Sequence, residues 1–315
     1  MKLDPGQPEP PSLIIDGQRS SRADQPPDGW RLWLLAIRPK TLTISIAPVV
    51  AGSALAWADA HSLDPRPFAA SLFGALAIQA GTNLYNDVGD ALRGGDQPLR
   101  QGPPRITALG WATPERVKRA ALSCFALAAL VGLYLVWLGG WPIVALGLAS
   151  LVAGWAYSGG PKPIAYTPTG EAFVIAFFGI GAVGGTYYLQ TLSLTGQSII
   201  VGAAIGAVAA AVLLANNYRD MEPDRLAGRR TLAIRAGVEA SKAIYGALLL
   251  LPIALLASPL GPKGGWLCLG ALPVALRLIL RFATQARGPA FNAILASTAR
   301  FQLLLAFLLA LGVTL

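Results

Sequence analysis

The sequence predicts an all-α membrane protein, a bundle of about nine transmembrane helices. Three observations predict it: the composition, the spacing of long apolar runs, and the placement of the basic residues. Of 315 residues, 54% are hydrophobic and 13% charged, roughly half the charged share of about 25% in a soluble domain. Too few charges remain to cover a water-facing surface.

Apolar runs long enough to cross a bilayer, about 20 residues each, fall at 41–57, 67–86, 118–138, 141–158, 171–189, 198–217, 243–260, 265–281 and 295–315. The last run contains Arg300, which must reach an interface along its own side chain or leave the chain end lying flat on the membrane. Basic residues collect in cytoplasmic loops. If the N-terminus is cytoplasmic, every other connection is cytoplasmic too, and of the 25 lysines and arginines Arg66 and Lys263 alone fall outside. The expected topology is therefore multi-pass in the inner (cytoplasmic) membrane, N-terminus in and C-terminus out. The net charge of +9 reads as topology and attraction to lipid headgroups and phosphates. No basic patch interleaved with aromatics points to nucleic acid, and no protein partner is implied.

Residues 1–29 carry Pro5, Pro8, Pro10, Pro11, Pro26 and Pro27 among polar residues, the composition of a disordered cytoplasmic tail. Residues 30–315 form one membrane domain. Cys124 and Cys268 lie singly inside apolar runs and act as small apolar residues. The lone His61 falls in an outside loop, away from any acidic cluster, which excludes histidine chemistry. Two inside connections, 87–117 and 218–242, are long, and long connections in a compact domain tend to be functional.

Each long connection opens with the same kind of signature: Asn83-Leu-Tyr-Asn86-Asp87-Val-Gly-Asp90 after the second run, and Asn216-Asn217-Tyr-Arg219-Asp220-Met-Glu-Pro-Asp224 after the sixth. Carboxylates at the edge of a bilayer are costly unless something specific offsets them. On a helix, Asn83, Asp87 and Asp90 share one face, as do Asn216, Asp220 and Asp224. A single such cluster is explained by helix capping and pairing with loop arginines; two copies four helices apart suggest a pseudo-repeat that brings two stripes face to face. Oxygen ligands without His or Cys suit Mg²⁺, which takes one or two carboxylates and completes its shell with water and substrate phosphate. Nearby Arg93, Arg105, Lys162, Arg219, Arg229 and Arg230 supply positive charge for a diphosphate. A polyprenyl diphosphate matches this polarity, with an anionic head for metals and a hydrocarbon tail for helices or lipid. A transporter is the rival of another class, but its polar sites belong at mid-membrane, not at helix ends facing basic loops.

These residues resemble the UbiA superfamily of intramembrane aromatic prenyltransferases, and within it the branch that prenylates 1,4-dihydroxy-2-naphthoate. The resemblance rests on Arg38-Pro39-Lys40-Thr41-Leu42, Asn86-Asp87-Val-Gly-Asp90 with Asp96 and Gly102-Pro103-Pro104-Arg105, Ala165-Tyr166-Thr167-Pro168-Thr-Gly170-Glu171, Tyr187-Tyr188-Leu189-Gln190, Asn216 through Arg225, and Gly228-Arg229-Arg230-Thr231-Leu232 with Arg235-Ala-Gly237. The superfamily's third acidic position in the first motif is Gly94 here, with Asp96 two residues on, a departure that fits the naphthoate branch better than the 4-hydroxybenzoate branch.

The resemblance implies helices around a central cavity, capped on the cytoplasmic side by the two long loops. It implies Mg²⁺ held by Asn86, Asp87, Asp90, Asp96, Asn216, Asp220 and Asp224, with Arg93, Arg105, Lys162, Arg219 and Arg229 on the diphosphate. Tyr157 would face the allylic carbon, and Asp90, Asp220, Asp224 and Lys162 would share the catalytic work with it. Arg38 and Asn83 would receive the aromatic acceptor. The implied reaction transfers a polyprenyl group to the naphthoate with loss of diphosphate and CO₂, giving demethylmenaquinol. Other acceptors, 4-hydroxybenzoate first among them, suit the same chemistry.

Overall fold

The computed structural model describes residues 26–92, 102 and 105–315, apart from the side chain of Asp90. The described residues are helical and contain no strand. In chain order the helices are α1 (Trp30–Ile37), α2 (Pro39–Ala60), α3 (Pro65–Leu92), α4 (Pro114–Gly139), α5 (Trp141–Ser158), α6 (Gly170–Thr191), α7 (Gly196–Arg219), α8 (Met221–Leu226), α9 (Leu232–Ala257), α10 (Leu272–Thr284) and α11 (Asn292–Thr314). Short 3₁₀ turns at Ile164–Tyr166, Gly265–Ala271 and Pro289–Phe291 join them. Proline opens several helices at the first or second position, where its missing N–H costs nothing: Pro39 for α2, Pro114 for α4 and Pro142 for α5.

Among the described residues eight helical segments are long and apolar enough to cross a membrane, which makes the chain a multi-pass membrane protein. They coincide with eight of the nine apolar runs of the sequence. The remaining run lies in α3, whose 28 residues span about 42 Å at 1.5 Å per residue. Its second half gives up hydropathy to Gln79, Asn83, Asn86 and Asp87. The segment that ends in the first acidic motif is therefore the least apolar of the nine.

Helix α7 forms the centre of the bundle, with Val201, Ile205, Val208, Ala211 and Leu214 fully buried. It packs on α6 through glycine. A Cβ on Gly179 would stand 2.3 Å from the Gly202 carbonyl oxygen and 2.6 Å from Gly206 Cα, so these backbones approach as small residues allow in membrane helices. At the same contact α6 widens into a π-helical stretch, Ile175–Gly181. Helix α4 shows the opposite arrangement: Leu122, Leu127, Leu130, Leu133 and Trp137 all point outward, as they should where the surrounding solvent is lipid.

Behind the end of α7, Tyr218, Tyr245, Phe282 and Phe291 from four elements stack at centroid distances of 4.0–5.5 Å. The Tyr245 hydroxyl shares a 2.6 Å hydrogen bond with Thr298. This cluster fixes α9, α10 and α11 against the second acidic motif. Arg300 lies on the exposed face of α11. At the opposite end of the bundle, Arg66 forks onto Asp64, and its hydrogen bonds hold that carboxyl below the usual carboxylate range.

Candidate active site

The alternation of the helices brings the C-terminal ends of α3, α5 and α7 together with the N-terminal ends of α2, α6 and α9. Between them lies a cavity lined by Arg38, Asn86, Arg105, Tyr157, Ala165, Leu213, Asn216, Asn217, Asp220, Pro223, Asp224 and Arg229. Asn86 of the first motif and Asn216, Asn217, Asp220 and Asp224 of the second thus meet in one cavity.

The second motif contributes as its spacing suggested. Asn216, Asp220 and Asp224 all line the cavity, although the helix breaks between the first two and the last. Asp220 leaves helical geometry (φ −97°, ψ 16°) and α8 starts at Met221. One backbone bond, Asp224 N–H to Asp220 C=O at 2.8 Å, keeps the two carboxylates one turn apart across the break. Asp224 pairs with Arg229 at 3.2 Å, and Arg229 lies 4.6 Å from the centroid of the Tyr166 ring. Arg230 N–H donates to the Tyr166 carbonyl at 2.9 Å. The segment after α7 is thereby folded back onto the Ile164–Tyr166 turn, which brings Ala165 to the wall of the cavity.

The first motif divides its residues between two jobs. Asn86 lines the cavity, and its backbone carbonyl accepts a 3.3 Å hydrogen bond from Arg105 Nη1. Asn83 and Asp87, the stripe expected to face the site, are not among the lining residues. Asn83 Nδ2 donates to Ile37 C=O at 2.8 Å and to Thr41 Oγ1 at 3.0 Å, tying α3 to the α1–α2 junction. Asp87, 1% exposed, accepts from the backbone N–H groups of Ile106 (3.1 Å) and Thr107 (3.4 Å) and from the Thr107 hydroxyl. Its two oxygens are committed to holding the 105–107 segment, and Arg105 with it, over the cavity. Asp90 lies on α3 one turn beyond Asn86; its side chain, Arg93 and Asp96 lie outside the described residues.

Four positive side chains surround the acids. Arg38, Arg105 and Arg229 line the cavity. Arg38 is the single residue between α1 and α2 and adopts φ 55°, ψ 72°, a left-handed conformation that costs a non-glycine residue about 1–2 kcal/mol. Pro39 then fixes the start of α2, and the sharp turn aims Arg38 inward. Arg219 stands behind the wall, its side chain 1% exposed. Its Nε and Nη2 fork onto both oxygens of Asp220, Nη2 also reaches Asn216 Oδ1 at 2.9 Å, and Nη1 reaches Asn292 Oδ1 on α11. Arg219, expected on the diphosphate, is hydrogen-bonded in the structure to Asp220, Asn216 and Asn292. Lys162 is exposed in the turn after α5 and is not among the lining residues.

Asn292, Asn217, Leu213 and Ala165 were not singled out from the sequence. Asn217 stands inside a motif but has no charge to draw the eye, and an asparagine opening the last helix carries no local signal at all. Among the described residues no three His, Cys, Asp or Glu side chains gather into a ready-made metal site. Carboxylate and amide oxygens, with no nitrogen or sulfur donor, fit a hard cation that draws its other ligands from water and phosphate. A cavity holding two carboxylates among three lining arginines suits a metal-bound polyanion.

The model of the UbiA prenyltransferase family matches residues 45–299. The chain is 38% identical over 253 residues to the 1,4-dihydroxy-2-naphthoate octaprenyltransferase of Mycobacterium tuberculosis, covering 78% of this chain and 84% of that one. It is 35% identical over 292 residues to the Escherichia coli protein of the same name, covering 89% and 94%. A UbiA homolog from Archaeoglobus fulgidus, bound to GPP and Mg²⁺, has the same fold, with a TM-score of 0.65, 14% identity, and coverage of 90% of this chain and 99% of that one. Helical membrane architecture, the matched family model and relatives covering most of its length lead to one conclusion: the chain belongs to the UbiA prenyltransferase family.

Proposed function

We propose that this prenyltransferase moves a polyprenyl group from polyprenyl diphosphate to 1,4-dihydroxy-2-naphthoate, releasing diphosphate and CO₂ and leaving a demethylmenaquinol. The observation that carries the reading is a single cavity joining Asp220 and Asp224 to Arg38, Arg105 and Arg229. The names of the relatives support the naphthoate as acceptor.

Asp220, Asp224, Asn86 and Asn216 are assigned to hold Mg²⁺, with Asp90 and Asp96 of the first motif. An ion held by these residues would neutralise charge on the departing diphosphate. Arg105 and Arg229 carry the phosphate oxygens as guanidinium forks, and Lys162 approaches the same group from the exposed turn. Arg219 works one step back, holding the Asp220 carboxylate in place. The allylic C–O bond breaks with its electron pair on the diphosphate oxygen. Tyr157, in the wall beside the apolar Leu213 and Ala165, is assigned to the allylic carbon, and these side chains keep water from it. A ring carbon of the acceptor supplies the pair for the new C–C bond. The carboxylate on that carbon leaves as CO₂, and its bonding electrons restore the aromatic ring, so no strong base is required. Arg38, held inward by its strained turn, is assigned to the acceptor carboxylate. Asn83 and Asp87 serve the site as struts for the cap, since their hydrogen bonds are already spent.

The basic end of the bundle is proposed to face the cytoplasm in the inner membrane, leaving the C-terminus outside. Reporter fusions at the C-terminus that are active only in the cytoplasm would reverse that orientation. The function is tested with purified protein in detergent, Mg²⁺, a polyprenyl diphosphate and either 1,4-dihydroxy-2-naphthoate or 4-hydroxybenzoate. Naphthoate product supports the reading; product with hydroxybenzoate alone replaces the acceptor; no product with either overturns it.

A further inference from the structure

Glu171 has no part in the chemistry above, yet it is the second residue of α6 and 4% exposed. A carboxyl buried in a membrane-spanning segment is expensive, so its presence asks for a reason. Gly170 makes the position possible, since a Cβ there would already touch Leu213 Cδ2 at 3.3 Å. Glu171 Oε1 accepts a 2.9 Å hydrogen bond from Asn217 Nδ2. Its other oxygen is buried without a hydrogen-bond partner among the described residues. Asn217 in turn lines the cavity beside Leu213 and Asn216.

An asparagine amide can present either of two opposite faces, an NH₂ that donates or a carbonyl that accepts, and its neighbour decides which. Oε1 of Glu171 acts here as an acceptor. It therefore takes the NH₂ and leaves the Asn217 carbonyl oxygen to meet whatever occupies the cavity. For an electron-rich ring bearing hydroxyl groups, that sense matters twice. A carbonyl accepts a hydrogen bond from the hydroxyl and raises the electron density of the ring, which favours attack through carbon. An NH₂ aimed at the same hydroxyl oxygen would withdraw density instead.

We propose that Glu171 is a positioning residue that fixes Asn217 as a hydrogen-bond acceptor toward the aromatic substrate, and so selects acceptors carrying a free ring hydroxyl. This rests on the prenyl-transfer reading and adds a specificity determinant to it. In Glu171→Gln the new amide can donate or accept, and Asn217 loses its fixed sense. We expect kcat/KM for the naphthoate to fall about tenfold, as for one misdirected hydrogen bond, with KM for the prenyl diphosphate changed less than twofold. The parent should reject a naphthoate whose hydroxyls are methylated, and Glu171→Gln should reject it less. In Asn217→Asp two carboxyls face each other, and the loss should exceed tenfold. In the double variant E171Q/N217D, the introduced glutamine amide donates to one oxygen of the new carboxylate and leaves the other as acceptor, so acceptor turnover should return to within about threefold of the parent. A double variant no better than Asn217→Asp, or an equal fall in the prenyl diphosphate parameters, would overturn the proposal. If the parent itself fails to turn over any hydroxylated acceptor, the prenyl-transfer reading fails instead, so the two failures are distinguishable.

Discussion

Asn292→Ala is a test of how Asp220 is held. Asn292 is the first residue of α11 and is not among the residues lining the cavity; its Oδ1 accepts from Arg219 Nη1. Three of the other four Arg219 donors go to both oxygens of Asp220 and to Asn216. Removing one of these four hydrogen bonds, each to a charged group, costs about 1.5–3 kcal/mol. The side chains of Arg219 and Asp220 are 1% and 4% exposed, so solvent can do little to replace the lost partner. A value of about 2 kcal/mol, felt wholly in the placement of Asp220, corresponds to a fall of about 30-fold in kcat/KM. Arg219→Lys should be worse, by more than 100-fold: it keeps the charge but replaces a planar fork with a point that cannot reach three partners. Asn292→Asp keeps an acceptor and should stay near the parent. The assay is kcat/KM for prenylated product by mass spectrometry, with the unfolding midpoint in detergent measured alongside. Asn292→Ala and Arg219→Lys both within threefold of the parent would refute the idea that this network positions Asp220.

Asp220→Asn and Asp224→Asn should each lower turnover by at least about 100-fold, on the scale of losing a charged group at a reacting centre, and Asp220→Asn should also lower the unfolding midpoint, because it leaves the buried Arg219 guanidinium without its counter-charge. Asp87→Ala should behave differently. It strands the N–H groups of Ile106 and Thr107, which lowers stability by about 1–3 kcal/mol per unsatisfied donor, and the Mg²⁺ concentration for half-maximal activity should stay unchanged; a large shift in that concentration would return Asp87 to the metal site. Gly206→Val puts a side chain where a Cβ already meets Gly179 Cα at 2.8 Å, and overpacking of about 1–3 kcal/mol or more should appear as a lower unfolding midpoint. Chelation should abolish product formation and added Mg²⁺ should restore it. Deleting the predicted tail, residues 1–29, should leave kcat and KM within twofold of the full chain.

The helices were legible because a bilayer demands about 20 apolar residues per span, and eight of the nine runs became helices that meet that demand. The exception, the run in α3, shows why hydropathy alone falls short: a helix that carries site residues pays with polar side chains. The acidic stripes were legible in part. Helical periodicity placed Asn216, Asp220 and Asp224 on one wall, but it could not tell that the Asn83 and Asp87 face of α3 would turn to Thr41 and Thr107 while Asn86 took the cavity. That choice depends on where the 105–107 segment and the Arg38 turn lie, which are tertiary facts. The setting of Arg219 was hidden for a similar reason: its charge was visible, but its partner Asn292 lies 73 residues away in sequence. Glu171 and Asn217 lay inside quoted motifs without a role, because their meaning is a contact between two helices.

The most direct measurement is turnover of naphthoate labelled with ¹³C in its carboxyl group, following ¹³CO₂ and prenylated product together. One ¹³CO₂ is expected for each prenylated ring, with both lost in Asp220→Asn. Prenylated product that retains the label, or ¹³CO₂ release with no new C–C bond, would contradict the proposed reaction.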